Sequence, residues 1–119
     1  MADILVVDDE QSVRTFLKTV LSDAGHIVRE ASDAAEFLRM YDERRADLII
    51  VDLLIPGKGG LEIIIEIRSR RMPVKIIAIS GASENVLKTA KRIGADHVLR
   101  KPFTEEALLT VVNSALETL

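Results

Sequence analysis

The chain has 119 residues, of which 48% are apolar and 29% are charged, and its formal net charge is −3. This length and balance predict one domain with one hydrophobic core, spanning residues 1–119, and argue against disorder or a membrane-spanning chain. Cysteine is absent, which excludes disulfides and thiol chemistry, and the negative charge gives nucleic acid no bulk attraction. The first residues do not have the pattern of a signal peptide, so we expect a cytoplasmic protein.

Apolar runs of two to four residues alternate along the chain with longer segments in which apolar residues recur every three to four positions. The short runs are typical of buried parallel strands and the longer segments of helices. In chain order we predict strand 1 at Asp3–Val7, helix 1 at 10–24, strand 2 at 26–30, helix 2 at 32–43, strand 3 at 47–51, helix 3 from 61, strand 4 at 74–79, helix 4 at 83–93, strand 5 at 97–99 and helix 5 from 104.

Each predicted helix has one apolar face that we expect to pack on the sheet. These faces are Val13, Phe16, Leu17, Val20 and Leu21 in helix 1; Leu38 and Tyr41 in helix 2; Leu61, Ile64 and Ile65, with Ile67 at the margin, in helix 3; Val86, Ala90 and Ile93 in helix 4; and Leu108, Val111, Val112, Ala115 and Leu116 in helix 5.

Strict alternation of strands and helices predicts an α/β fold of the (βα)5 type. Crossovers between parallel strands are right-handed, and helices must cover both faces of the sheet, so few arrangements remain. The flavodoxin-like, doubly wound parallel sheet with strand order 2-1-3-4-5 satisfies both conditions. It puts the reversal of winding between strands 1 and 3, where sheets of this kind bind ligands.

Polar side chains follow four of the five strands. Asp8 and Asp9 follow strand 1, Asp52 follows strand 3, Ser80 follows strand 4, and Lys101 lies just after strand 5. The carboxyl ends of parallel strands share one edge, so these groups should meet there. Two carboxylates about 4 Å apart repel by roughly 4 kcal/mol at an effective dielectric constant near 20, so three of them need a cation. We therefore predict a metal-assisted phosphoryl site that holds Mg²⁺, or alternatively Mn²⁺.

Each of these residues also has a simpler alternative role. The two aspartates after strand 1 could cap helix 1, and Asp52 could be a turn residue. Ser80 could mark the start of helix 4. Lys101 could be a surface lysine, although its bond to Pro102 fixes the loop and can adopt the cis form. Two basic clusters are either solvated helix faces or docking surfaces for an acidic partner: Arg68, Arg70 and Arg71, and Lys88, Lys91 and Arg92.

Taken as an ordered set, these residues resemble the receiver domain of two-component response regulators over the full length of the chain. The matching residues are Asp8, Asp9, Asp52, Pro56, Gly60, Ser80, Lys101, Pro102 and Phe103. The resemblance implies that Asp52 accepts a phosphoryl group from the phosphohistidine of a sensor histidine kinase or a phosphotransfer protein. It also implies that Asp8, Asp9, Asp52 and the main-chain carbonyl of Leu54 hold the metal ion.

The same resemblance implies a switch. Lys101 would bind the phosphoryl group, and Ser80 would move to hydrogen-bond it. The surface formed by helix 4, strand 5 and helix 5 would then change its conformation. This surface would control an effector domain or protein, and it could also be the interface of a homodimer. Direct contact with nucleic acid or with a membrane is not expected of such a domain.

One position departs from the family pattern. An aromatic residue usually stands on strand 5, three positions before the lysine, and this chain has Val98 there. No ring can rotate at that switch position, so the coupling between the site and the surface is left open. His97 could contribute, or it could be an ordinary exposed histidine.

Three other functions compete with the phosphorylated receiver. A degenerate receiver would bind partners without phosphorylation, which only Val98 suggests. A phosphatase with an aspartate nucleophile needs a second aspartate two residues after the first, where this chain has Leu54. A dinucleotide-binding domain is disfavoured because no G-x-G-x-x-G follows strand 1. We therefore expect a signalling domain that assists its own phosphorylation and dephosphorylation, rather than an enzyme with a separate substrate.

Overall fold

The computed structural model describes residues 1–55, 59–81 and 84–117. Within these residues, five strands alternate with five helices: β1 Asp3–Val7, α1 Gln11–Asp23, β2 Ile27–Ala31, α2 Ala34–Glu43, β3 Leu48–Asp52, α3 Gly60–Ser69, β4 Lys75–Ser80, α4 Glu84–Ile93, β5 His97–Arg100 and α5 Glu105–Glu117. Every predicted element is present, with bounds that differ from the predicted ones by at most two residues. Pro56 and the predicted helix start at Ser83 lie outside the described residues.

All strands are parallel, and their order in the sheet is β2-β1-β3-β4-β5. The predicted order is confirmed. Val7 pairs with Val51 across the two central strands, so the residues that follow them leave the sheet side by side. Ser80 pairs with Arg100 on the next pair of strands. The polar strand ends therefore lie along one edge.

The sheet separates two hydrophobic cores. In β1, Leu5 and Val7 face the core formed with α2, α3 and α4, whereas Ile4 and Val6 face the core formed with α1 and α5. Successive side chains of a strand point to opposite faces of the sheet, so helices on both faces require apolar residues at every position. This explains why the central strands are uninterrupted apolar runs. None of the described helices is long and apolar enough to cross a membrane.

The structure corrects the predicted inner face of α3. Ile65 was expected to face the sheet, but it is 52% exposed, whereas Ile63 is buried. Successive helical residues are rotated by about 100°, so the face that holds Ile64 and Ile67 also includes Ile63 and turns Ile65 outward. Three consecutive isoleucines hide this rotation in the sequence.

The other predicted faces are confirmed in part. Tyr41 is buried as expected, but Phe37 of α2 and Leu87 of α4 are also buried and were not predicted. Phe16 lies at the edge of the α1 face, where it is 39% exposed and packs against the ring of Phe103. Exposed apolar rings at such an edge make the outer limit of a helix face hard to read from sequence.

Arg68, near the end of α3, joins two other parts of the fold through three residues. Its guanidinium donates to the carbonyl of Gly94 at 3.0 Å, to the carbonyl of Val74 at 2.9 Å and to the carboxylate of Asp96 at 2.8 Å. The same Asp96 oxygen accepts from the main-chain N–H of Ile76 at 2.8 Å. Arg68 was predicted to belong to a solvated or docking cluster; instead it links α3 to the start of β4 and to the turn before β5.

The stability of the domain should depend on the protonation of His26. Its Nδ1 accepts a hydrogen bond from the N–H of Ala2 at 3.1 Å, which requires the neutral imidazole. Burial, and then the N-terminal ammonium, lower the pKa of His26 below 6.5. The unfolded chain therefore binds a proton at a higher pH than the folded one. Stability should fall as the pH drops below about 6.5.

Urea denaturation of the protein and of His26→Gln between pH 7 and pH 5 tests this. The variant should lose less stability on acidification, because glutamine does not titrate. His97, the only other histidine, provides the matched control His97→Gln. An identical acid response in the parent and in His26→Gln would contradict the prediction.

Candidate functional site

The polar residues that follow the strands meet at the carboxyl edge of the sheet, as predicted. Asp8, Asp52 and Ser80 are the buried polar residues of the described chain, and Asp9 beside them is exposed. Burial of two carboxylates is costly unless they are paired or hydrogen-bonded. Their partners therefore decide what the site can do.

Lys101 is the cation of the site. Its ammonium lies 2.8 Å from one carboxylate oxygen of Asp52 and 3.1 Å from one of Asp8. Burial lowers the pKa of Lys101, but the hydrogen bonds and charges of Asp52 and Asp8 outweigh it and raise the pKa above 10.5. The ammonium is thus charged at neutral pH. Because its ammonium contacts both carboxylates, Lys101 is not an ordinary surface lysine. The peptide bond from Lys101 to Pro102 is cis.

Asp8 is held from three sides. Its main-chain N–H donates to the carbonyl of Ala31 at 3.1 Å, and its side chain accepts from the N–H of Glu10 at 2.9 Å. Burial raises the pKa of Asp8 to about 6; the Glu10 N–H opposes this, the Asp52 carboxylate adds to it, and Lys101 opposes it. The residue at the helix cap of α1 is Glu10, so neither Asp8 nor Asp9 caps that helix.

Asp52 closes a turn, as its simpler alternative role predicted, and it also contacts the lysine of the site. One carboxylate oxygen accepts from the N–H of Leu54 at 2.9 Å, which closes the turn after β3, and the other binds Lys101. The side chain is therefore held in a fixed orientation at the end of a buried strand. Leu54 itself is 61% exposed beside it.

The three aspartates fit a divalent metal ion. One carboxylate oxygen from each of Asp8, Asp9 and Asp52 lies within 4.8 Å of the other two. Mg²⁺ prefers oxygen ligands, takes one or two carboxylates and keeps several waters for exchange with a phosphate. The three acidic oxygens are thus the kind of ligands that such an ion takes.

Gly60 lets the first turn of α3 pack on the main chain of Asp52. A Cβ atom at this position would overlap the carbonyl oxygen of Asp52 and would lie 2.5 Å from Cα of Leu53. The N–H of Gly60 donates to the carbonyl of Leu53 at 3.3 Å. Any larger residue would have to push the helix away from the strand end that carries Asp52.

Ser80 and Val98 lie on the neighbouring strands β4 and β5. The carbonyl of Ser80 accepts from the N–H of Lys101 at 2.9 Å, so the ends of these strands are tied together. Val98 is half-buried against the core and borders a cavity of about 370 Å³. This cavity is lined by Glu84, Leu87, Lys88, Lys91, Val98 and Arg100.

Arg14 is a residue of the site that sequence reasoning missed. It lies one turn into α1, and its guanidinium donates to the carbonyl of Asp8 at 2.7 Å and to Glu30 at 3.3 Å. An arginine near a helix start usually faces solvent, so composition and spacing gave no signal. Its partner Glu30 is on β2, and it comes within reach of Arg14 only because β2 pairs with β1 in the folded sheet.

The sheet order and the acidic, lysine-bridged site at the switch point define a flavodoxin-like α/β domain. Residues 4–113 match the response regulator receiver domain family, and the chain belongs to that family. Receiver domains are the phosphorylation-controlled signalling domains of two-component systems. The resemblance inferred from the sequence is thus confirmed.

Similar proteins include full-length regulators and isolated receivers. The chain is 38% identical to the DNA-binding transcriptional regulator NtrC of Azospirillum brasilense, over 98% of this chain and 24% of NtrC. The receiver domain of NtrX from Brucella abortus superimposes with a TM-score of 0.94 at 36% identity, covering 98% of this chain and 100% of that one. Chemotaxis protein CheY4 of Vibrio cholerae gives a TM-score of 0.89 at 32% identity, covering 97% and 98%.

The chain spans only a part of the curated relatives that it matches, 24% of NtrC and 49% of the regulator MalR of Bacillus subtilis.

Proposed function

We propose that this receiver domain is phosphorylated on Asp52 by the phosphohistidine of a sensor histidine kinase or a phosphotransfer protein, in a reaction that requires Mg²⁺ or Mn²⁺. The observation that carries the proposal is the 2.8 Å contact between the Asp52 carboxylate and the Lys101 ammonium, next to two further carboxylates. A carboxylate in a fixed orientation can act as a nucleophile, and an adjacent ammonium can bind the incoming phosphoryl oxygens.

The reaction transfers one phosphoryl group. A carboxylate oxygen of Asp52 forms a bond to phosphorus, the bond between phosphorus and the donor imidazole nitrogen breaks, and its electron pair stays on that nitrogen. Asp8, Asp9, Asp52 and the Leu54 carbonyl would hold Mg²⁺, which when bound neutralises charge on the phosphoryl oxygens. Lys101 exchanges its bond to Asp52 for a bond to a phosphoryl oxygen. Hydrolysis of the acyl phosphate by water later restores the carboxylate.

Phosphorylation then changes a surface. The hydroxyl of Ser80 would hydrogen-bond the phosphoryl group, and the bond from the Lys101 N–H to the Ser80 carbonyl would carry its movement to β5. Val98 on β5 borders the cavity beside α4, so packing there is the part of the surface that we expect to respond. The surface of α4, β5 and α5 would control an effector domain or protein, and a homodimer through it is a further proposal.

The remaining proposals concern the setting of the domain. Residues 1–119 would form a single receiver domain in the cytoplasm, without direct contact with nucleic acid or membrane. The chain would assist its own phosphorylation and dephosphorylation without acting on a separate substrate.

Incubation with acetyl phosphate tests the acceptor. In the presence of MgCl₂ the intact protein should gain the mass of one phosphoryl group, and Asp52→Asn should gain none. Asp42→Asn, at an exposed aspartate of α2, is the matched control and should react like the parent. An unmodified parent would favour the degenerate receiver, and release of many phosphates per chain would favour a hydrolase.

A further inference from the structure

Asp8 ties the loop that carries Asp8 and Asp9 to the edge strand β2 through both of its main-chain polar groups. Its N–H reaches β2 directly, and its carbonyl reaches β2 through Arg14. The N–H of Asp8 donates to the carbonyl of Ala31, and the carbonyl of Asp8 accepts from Arg14 at 2.7 Å. Arg14 in turn is paired at 3.3 Å with Glu30, the neighbour of Ala31. These bonds close a ring from β2 through α1 back to the loop.

The position of Asp9 depends on this ring. The carbonyl of Asp8 belongs to the peptide plane that joins Asp8 to Asp9, so the bond from Arg14 fixes the direction in which Asp9 leaves the loop. Among the described residues, nothing hydrogen-bonds to the Asp9 carboxylate, and the helix cap at Glu10 makes no side-chain bond. Arg14 at the Asp8 carbonyl, together with the Asp8 carboxylate that accepts from the Glu10 N–H, therefore fixes the main chain around Asp9.

Arg14 does not act on the metal site through its charge. A guanidinium near a cluster of metal ligands would by itself repel a divalent cation, but Arg14 is paired with Glu30, which balances that charge. The Arg14 side chain is only 16% exposed. Its rigid fork donates in two directions at once, to a carbonyl and to a carboxylate, which a lysine ammonium on a flexible stem does less well. Its contribution is thus geometric.

We propose that Arg14, held by Glu30, is a positioning residue that fixes the Asp8–Asp9 main chain and thereby sets the affinity of the acidic cluster for Mg²⁺. This inference rests on the proposed function. Arg14 is not a catalytic residue, because it touches neither the acceptor carboxylate nor the transferred group. Groups that hold metal ligands in place typically change metal affinity by about 10- to 100-fold when they are removed.

Calorimetric titration of the protein with MgCl₂ tests the inference directly. Arg14→Met keeps the apolar stem and removes both bonds, and it should raise the dissociation constant for Mg²⁺ by about tenfold or more. The matched control is Lys18→Met, because Lys18 pairs with the other oxygen of Glu30 at 3.7 Å but is 54% exposed. It should leave the dissociation constant unchanged. An unchanged constant in Arg14→Met, or an equal rise in Lys18→Met, would overturn the inference.

A second measurement separates positioning from general stability. The rate of phosphorylation by acetyl phosphate should need more Mg²⁺ to reach half of its maximum in Arg14→Met, while the rate at saturating Mg²⁺ stays near that of the parent. A lower saturating rate with an unshifted Mg²⁺ requirement would sink the inference. Where Arg14→Met does not fold, Arg14→Lys keeps the charge and should shift the Mg²⁺ constant in the same direction; no shift would count against the inference. A parent that binds no Mg²⁺ would overturn the proposed function itself.

Discussion

Replacing Gly60 by alanine should destabilise the domain by about 3 kcal/mol, at the upper end of the range for overpacked sites. The added methyl group would overlap the Asp52 carbonyl, and its neighbours there are main-chain atoms that cannot turn away. The first turn of α3 must then move from the end of β3. Because the same strand end carries Asp52, the acceptor that we propose, phosphorylation by acetyl phosphate should also slow sharply. Urea denaturation and a mass-based phosphorylation assay measure the two effects.

Gly59 provides the matched control for this prediction. A Cβ atom there would meet only the Leu53 carbonyl, at 3.9 Å, and the residue has an ordinary negative φ of −70°. Gly59→Ala should therefore cost at most about 1 kcal/mol, the usual effect at a helix cap, and leave phosphorylation intact. Equal losses of stability in the two variants would show that the close approach at Gly60 is not the cause.

The Arg68→Met variant should lose about 3 kcal/mol of stability. The substitution removes three charge-assisted hydrogen bonds and leaves the carbonyls of Val74 and Gly94 without that donor. Asp96 would keep its bond to the Ile76 N–H but lose the cation beside it. The midpoint of urea denaturation should fall with little change in slope, and amide exchange should accelerate most at the turn between α4 and β5.

Arg70, two residues further along, provides a control for the general effect of replacing an arginine of α3 or its end. It is 50% exposed and pairs with Glu66 one helical turn away. Pairs of this kind contribute roughly 0.3–0.5 kcal/mol, so Arg70→Met should be nearly neutral. If both variants lost stability equally, the links from Arg68 to β4 and to the turn before β5 would have little energetic weight.

The fold and the reactive residues were predictable from the sequence because each rests on a strong local pattern. A strand buried on both faces leaves a continuous apolar run, and the residue that ends it stands out when it is charged. Asp8 after Val7 and Asp52 after Val51 are such residues. The topology then follows from a few rules on handedness and coverage, which place these ends together.

The remaining features depend on distances between elements, which local patterns do not encode. Arg14 and Arg68 look like solvated helix residues until β2, β4 and the turn before β5 bring their partners within reach. The choice between Ile63 and Ile65 failed because a run of identical residues carries no periodicity. The predicted basic cluster likewise divides into a partly buried network at Arg68 and a more exposed pair at Arg70, which differ in tertiary contacts but not in composition.

The bridge made by Lys101 has a consequence for how the domain is made. The lysine lies 49 positions from Asp52 and 93 positions from Asp8, so its two bonds span nearly the whole chain. Contacts between such distant positions form only after the entropy of closing long loops has been overcome. The ammonium therefore reaches the carboxylates only once β5 has been synthesised and has joined the sheet. A nascent chain that lacks β5 therefore also lacks the bridge between Lys101 and the two aspartates that we propose to be needed for phosphorylation.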